Sequence, residues 1–100
     1  MSYRVIITSL ARVDISQAVQ WYEEKNAGLG RFFWRELKAR LIALKQDPLF
    51  PRAFGTRGFR KVRIPKFPYS AYYEMVGDEI RIHAVFHAAR DPRTLEHRLL

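Results

Sequence analysis

Residues Phe59–Pro92 read FRKVRIPKFPYSAYYEMVGDEIRIHAVFHAARDP, and three runs within them alternate apolar and polar side chains with period two, the pattern of half-buried strands. Val76-Gly77-Asp78-Glu79 is a two-residue hairpin turn, because glycine tolerates the positive φ that tight primed turns demand. Counting outward from that turn sets the register. Glu79 opposes Val76, Arg81 opposes Glu74, His83 opposes Tyr72 and Val85 opposes Ser70. On the other side lie the pairs Met75 with Ile80, Tyr73 with Ile82 and Ala71 with Ala84.

One face of this hairpin is therefore apolar, while the other carries Tyr72, Glu74, Arg81, His83 and, at the end of the strand, His87. The same parity in Phe59–Ile64 turns Val62 and Ile64 inward and leaves Lys61 and Arg63 outside. The result is a basic face bearing histidine and tyrosine. That face is the candidate functional surface.

The segments before it supply a cover for the apolar face. Tyr3–Thr8 (YRVIIT) is short and β-branched, a first strand. Ala11, Ile15, Ala18 and Tyr22 then recur at helical spacing, with Asp14 near the positive end of the helix dipole, so a helix runs from about Ala11 to Asn26. Gly28-Leu29-Gly30 stops it and reverses the chain. Phe33, Leu37, Leu41 and Leu44 mark a second helix that ends before Pro48. Two helices joined so briefly pack antiparallel, and their apolar stripes need the inner sheet face. Pro48–Gly58 (PLFPRAFGTRG), with two prolines and two glycines, reads as a loop, and RTLEHRLL after Pro92 carries a weak helical signal from Leu95 and Leu99.

At 100 residues the chain is one domain, residues 1–100, and its 48% apolar composition supplies one modest core. The net charge of +8 points to a polyanionic target, an acidic protein partner, or both in turn. From Pro51 through Tyr69 lie Arg52, Arg57, Arg60, Lys61, Arg63 and Lys66 with no acidic residue. Without cysteine there is neither a disulfide framework nor a thiolate zinc site. MSYRVIITSLARVD meets Arg12 and Asp14 too early for a secretion signal or membrane span, so the expected location is the cytoplasm, with no membrane partner.

Cutting RNA without a metal requires a base for the 2′-hydroxyl, cations around the phosphate and an acid for the leaving oxygen. His83 or His87 can move protons, Lys61, Arg63, Arg81 and Arg90 can hold phosphate, and Tyr72 can stack on a splayed base. Four residues of strand separate the two histidines by roughly 13 Å at about 3.3 Å per residue, too far to share one phosphate or one zinc. No metal and no cofactor are expected. The plain alternatives are a rim histidine in solvent or hydrogen-bonded as a spectator, a cross-strand ion pair between Arg81 and Glu74, a solvated basic edge that guards against aggregation, Tyr73 in the core, and Trp21 and Trp34 as packing or partner-groove residues.

The pieces ARVDISQAVQWYEEKNAGLGRFF, LxxLxxDPLFP at Leu41–Pro51, and the FPYSAYY, IRIHAVFH and ARDP blocks of the sheet together resemble the RelE/ParE superfamily of type II toxin–antitoxin toxins, often called plasmid stabilisation proteins. The resemblance covers most of the chain. It implies an α+β fold, a helical hairpin packed on a small, mainly antiparallel sheet in the order β-α-α-β-β-β with a short C-terminal helix, which matches the assembly read from the residues.

The resemblance also implies a growth-inhibiting toxin neutralised by a cognate acidic antitoxin in a hetero-oligomer. RelE-like members cut messenger RNA on the ribosome, and ParE-like members poison DNA gyrase. Carried over, Arg60, Lys61 and Arg63 match the basic second sheet strand, Arg81 the basic position of the last strand, and His87 with Arg90 its C-terminal end. As an RNase the chain would use His87, Arg90 and Arg81 in catalysis; target binding would fall to Arg60, Lys61, Arg63, Tyr72 and His83. RelE-like nucleases commonly place a tyrosine near the C-terminus, and no tyrosine follows Tyr73 here. That departure leans the expected target toward gyrase, with the ribosome-dependent endonuclease as the alternative and a plain basic nucleic-acid-binding module as a third reading.

Overall fold

Strand alternation and two helical stripes become, in the computed structural model, which describes residues 2–55 and 57–99, one sheet with helices on both sides. The elements are β1 (Arg4–Ile7), α1 (Ser9–Lys25), α2 (Leu29–Leu44), β2 (Ala53–Phe54), β3 (Phe59–Arg63), β4 (Tyr69–Val76), β5 (Glu79–His87) and α3 (Pro92–Leu99). Strand order is β1-β5-β4-β3-β2, with β1 parallel to β5 and the other neighbours antiparallel. The PLFPRAFGTRG segment is thus a loop that also contains the two-residue β2, which pairs with Phe59 and Arg60. Its Thr56, like Leu100 beyond α3, lies outside the described residues.

The helical hairpin forms for local reasons. The Thr8 hydroxyl caps α1 by accepting the Ala11 N–H at 3.3 Å. At its far end the Glu23 carboxylate accepts the N–H groups of Gly28 (2.9 Å) and Gly30 (3.0 Å), so α1 satisfies two donors that the start of α2 would otherwise leave open. These bonds hold the Glu23 carboxyl below the usual carboxylate range, first through Gly28 and then through Gly30. Gly28 has φ of 91°, a conformation that favours glycine. Gly30 is buried where a side chain would collide with α1.

Between this hairpin and the sheet lies the main core. Tyr22 stacks on Phe33, and both rings meet Phe67 and Tyr69. Leu37, Leu41, Val62, Ile64, Ala71, Tyr73, Ile80 and Ile82 fill the rest. The inward placement of Val62, Ile64 and Tyr73 agrees with the alternation.

Beyond Tyr73 the expected register fails. Pairing follows the count from the turn through Tyr73 with Ile82, then steps to Tyr72 with Ala84, Ala71 with Val85, Ser70 with Phe86 and Tyr69 with His87. His83 is the extra residue of a β-bulge. His83 therefore does not oppose Tyr72, Val85 does not oppose Ser70, and Ala71 does not face Ala84. The bulge inverts the parity of the rest of β5. Ala84 and Phe86 now point to the side expected to be open, and His87 turns to the helical side.

A second apolar cluster covers that outer side. Phe59, Tyr72, Ala84 and Phe86 pack beneath Leu95 and Leu99 of α3. An isolated helix of this length is marginal in water, but full burial of two leucines stabilises its docking by about 1.5–3 kcal/mol each. The weak helical signal thus marks a docked helix.

One ion pair ties the three layers. Asp14, 5% exposed, accepts the Val85 N–H at 3.0 Å and both guanidinium nitrogens of Arg98, at 2.6 and 3.1 Å. Arg98 also donates to the His83 carbonyl at 3.3 Å. β1 pairs with β5 only as far as Ile82, so these bonds serve the stretch of β5 that β1 does not reach. The role of Asp14 is therefore tertiary, whereas its position in the sequence suggested the helix dipole.

Replacing Asp14 by alanine is expected to cost about 3–5 kcal/mol in chemical denaturation, since it strands a half-buried guanidinium and a buried N–H; a double-mutant cycle with Arg98→Ala should show strong coupling between the two. Replacing Gly30 by alanine is expected to lower Tm, at about 1–3 kcal/mol. A methyl there would lie 2.5 Å from the Val19 carbonyl oxygen. Helix propensity alone predicts the opposite sign.

Candidate functional site

The cationic face is narrower than the alternation implied. Lys61 and Arg63, on β3, are exposed on the outer side, opposite Tyr72 and Ser70 of β4. The Lys61 ammonium lies 5.9 Å from the centre of the Tyr72 ring. Tyr72 itself is only 6% exposed, its ring edged by Phe54 at 5.1 Å and covered by α3, so it offers no open face to a base. Burial raises its phenol pKa.

Arg81 and His83 sit on the same side of β5, each with a carboxylate. Arg81 opposes Glu74 in register, yet its Nε bonds Glu79 on its own strand at 2.8 Å. Glu79 is shared with Arg4 at 3.0 Å. Glu74 instead meets His83 Nε2 at 3.0 Å, and the His83 ring stands edge-on to Phe59. The expected Arg81–Glu74 pair is thus replaced by two others. With the bulge shifting His83 along the strand, its ring reaches Glu74 rather than open solvent.

The remaining basic residues of the run split away. Arg60 pairs with Tyr73 in register and so lies on the helical side, where one guanidinium nitrogen clamps the carbonyls of Leu49 (3.1 Å) and Pro51 (2.8 Å). Lys66, with φ of 71° in the turn between β3 and β4, bonds Glu36 of α2 at 3.2 Å and lies over Phe32. Both act as ties between elements. Arg60 is separated from the surface that Lys61 and Arg63 present.

His87 is also on the helical side, edge-on to Tyr69 at 5.2 Å. It borders a pocket of about 310 Å³ with Gln17 and Trp21 of α1, Tyr69 and Arg90, floored by Asp14. Its Nδ1 accepts the Ala89 N–H at 2.9 Å, so in the neutral ring the proton resides on Nε2. The ring is thereby set to donate. Arg90 lies over Phe86 at 4.1 Å, and its charge partly offsets the burial that raises the Tyr69 phenol. Trp21, 52% exposed, lines this pocket rather than the core.

The sheet therefore divides the candidate residues between two surfaces. His87 and Arg90 belong to the pocket beside α1, whereas Lys61, Arg63, Arg81 and His83 belong to the outer side. The pocket can bind a small anionic or aromatic group; the outer side can attract an acidic segment. Among the described residues no cluster of His, Asp or Glu is arranged to hold a metal, and no helix is long and apolar enough to cross a membrane. Sequence reading missed that Trp21 and His87 line one pocket. The available signal was the three consecutive apolar residues Ala84-Val85-Phe86, which break the period-two pattern and require apolar surroundings on both faces.

Known proteins share this fold. No curated protein matches the chain. Among solved structures, the chromosomal ParDE toxin–antitoxin system from P. aeruginosa aligns with a TM-score of 0.78 at 18% identity, over 86% of this chain and 96% of that one. A doubly substituted mutant of the E. coli toxin RelE in its free state aligns with a TM-score of 0.66 at 17% identity over the whole of both chains. At such identities these likenesses establish the RelE/ParE-like fold. The family model of the ParE toxin of the type II toxin–antitoxin system, parDE, matches residues 5–92, and the chain belongs to that toxin family.

Proposed function

We propose that this toxin stops growth by binding a protein target, DNA gyrase, and makes or breaks no covalent bond itself, while a cognate acidic antitoxin holds it inactive. The observation that carries this reading is the separation of His87 from the cations of the outer side. Acid–base catalysis needs its groups within hydrogen-bond reach of one reacting centre. His83 is engaged by Glu74 and Tyr72 is covered, so neither residue gives the outer sheet face an open proton donor. Gyrase is the target that the ParE-like resemblance implies. The charge of +8 suits an acidic antitoxin tail.

A second reading, a ribosome-dependent mRNA endonuclease, is favoured by one feature: His87 and Arg90 share a pocket with two aromatic rings. A single substitution separates the two readings. With binding alone, His87→Gln arrests growth on induction about as well as the wild type; an endonuclease that relies on this group loses about 10²–10⁴-fold in cleavage.

Purified toxin is expected to inhibit supercoiling by gyrase or to trap broken DNA, with transcript ends unchanged after induction. Co-expression of the adjacent reading frame should restore growth. Intact gyrase activity together with newly cut transcripts would replace this reading by the endonuclease.

A further inference from the structure

Phe50 is 84% exposed, more than any other large apolar residue described, and its neighbour Leu49 is 57% exposed. Scattered exposed apolar residues are ordinary. This pair differs because the loop beneath it is fastened from several sides. The buried phenol of Tyr73 donates to the Pro48 carbonyl at 2.7 Å, and burial, which pushes that phenol up to about 12, keeps it a donor. Arg60 holds the carbonyls of Leu49 and Pro51, the Phe50 N–H bonds the Asp47 carbonyl at 3.3 Å, and the Arg52 carbonyl accepts from Lys61 N–H. Pro48 and Pro51 also fix φ on either side of the pair. A tyrosine from the core and an arginine from the sheet thus hold two apolar side chains out in water.

We propose that Leu49 and Phe50 form a preorganised apolar knob that inserts into a hydrophobic pocket rimmed by carboxylates on the toxin's folded protein target. This rests on the reading that the toxin acts by binding a protein. Because the loop is already ordered, little conformational entropy is lost on docking, which is the condition under which one aromatic anchor dominates an interface. The shape selects the partner. A knob requires a preformed concavity, which a folded protein supplies. Charge narrows it further: exposed Lys45 and Arg52 flank the turn, only Asp47 opposes them between those positions, and no acidic residue follows until Glu74. The same positive charge disfavours a second copy of this chain as the occupant.

The test is Leu49→Ala with Phe50→Ala, alongside Phe50→Leu as a conservative control, each purified from its complex with antitoxin. Both residues are exposed, so Tm is expected to stay within a few degrees of wild type. The double variant should lose about tenfold or more in gyrase inhibition and in growth arrest at equal protein level, with Phe50→Leu largely retained and antitoxin affinity within about twofold of wild type. Full growth arrest by the double variant would overturn the knob, as would loss of antitoxin affinity with toxicity intact. If the wild type leaves gyrase untouched while the double variant still loses growth arrest, the gyrase reading fails and the knob stands, on another protein target.

Discussion

Everything on the far half of β5 depends on the carboxylate of Asp14. A strand beyond its last neighbour has backbone groups that must be satisfied or exposed. Here β1 stops opposite Ile82, and Asp14 from α1 with Arg98 from α3 supply the missing partners at Val85 and His83. Their own charges are compensated at 2.6 Å. A buried pair of this kind contributes less to stability than its Coulomb attraction suggests, because both ions lose water. Its effect is geometric: it joins helices on opposite faces of the sheet to one bulged strand, and α3 is drawn over the outer side instead of away from it.

From that bulge the functional reading follows. Without it, period-two alternation would put His87 on the same face as Arg81 and His83, roughly 13 Å along the strand from His83. One extra residue turns His87 to the helical side and brings Phe86 out beneath α3. One bulge can thus divide the candidate residues of a single strand between two surfaces. Lys61, Arg63 and Arg81 stay on the outer side, and His87 lies in the pocket beside α1.

Much of the fold could be read from local pattern because its causes are local. The Gly77-Asp78 turn fixed the register for four residue pairs, and the stripes from Ala11 to Tyr22 and from Phe33 to Leu44 located both helices to within a few residues. Failures began where distant residues decide. No glycine marks the bulge at His83, Asp14 finds its partner 84 positions away, and Arg60 looks like any other basic residue until the Leu49–Pro51 carbonyls are seen beside it. Of the candidate site, the exposure of Lys61 and Arg63 was legible. The burial of Tyr72, the Glu74–His83 contact and the departure of His87 were not, since each depends on the bulge or on α3.

The distribution of positive charge bears on how such a toxin distinguishes its partners. Of the basic residues in the run from Arg52 to Lys66, Arg60 and Lys66 hold loops and turns to the core, and Arg98 outside it is spent on Asp14. Those left facing water, Lys61 and Arg63 among them, give the outer side its positive charge. Long-range attraction speeds encounter but discriminates poorly, and salt screens it beyond about 8 Å at physiological ionic strength. Discrimination must then come from contacts at short range, where apolar shape and the loss of water matter more than charge. A polar core residue such as Tyr73, used to hold an apolar loop outward, makes sense on those terms: the order invested in the Leu49–Phe50 loop is lost to stability unless a partner's pocket receives it.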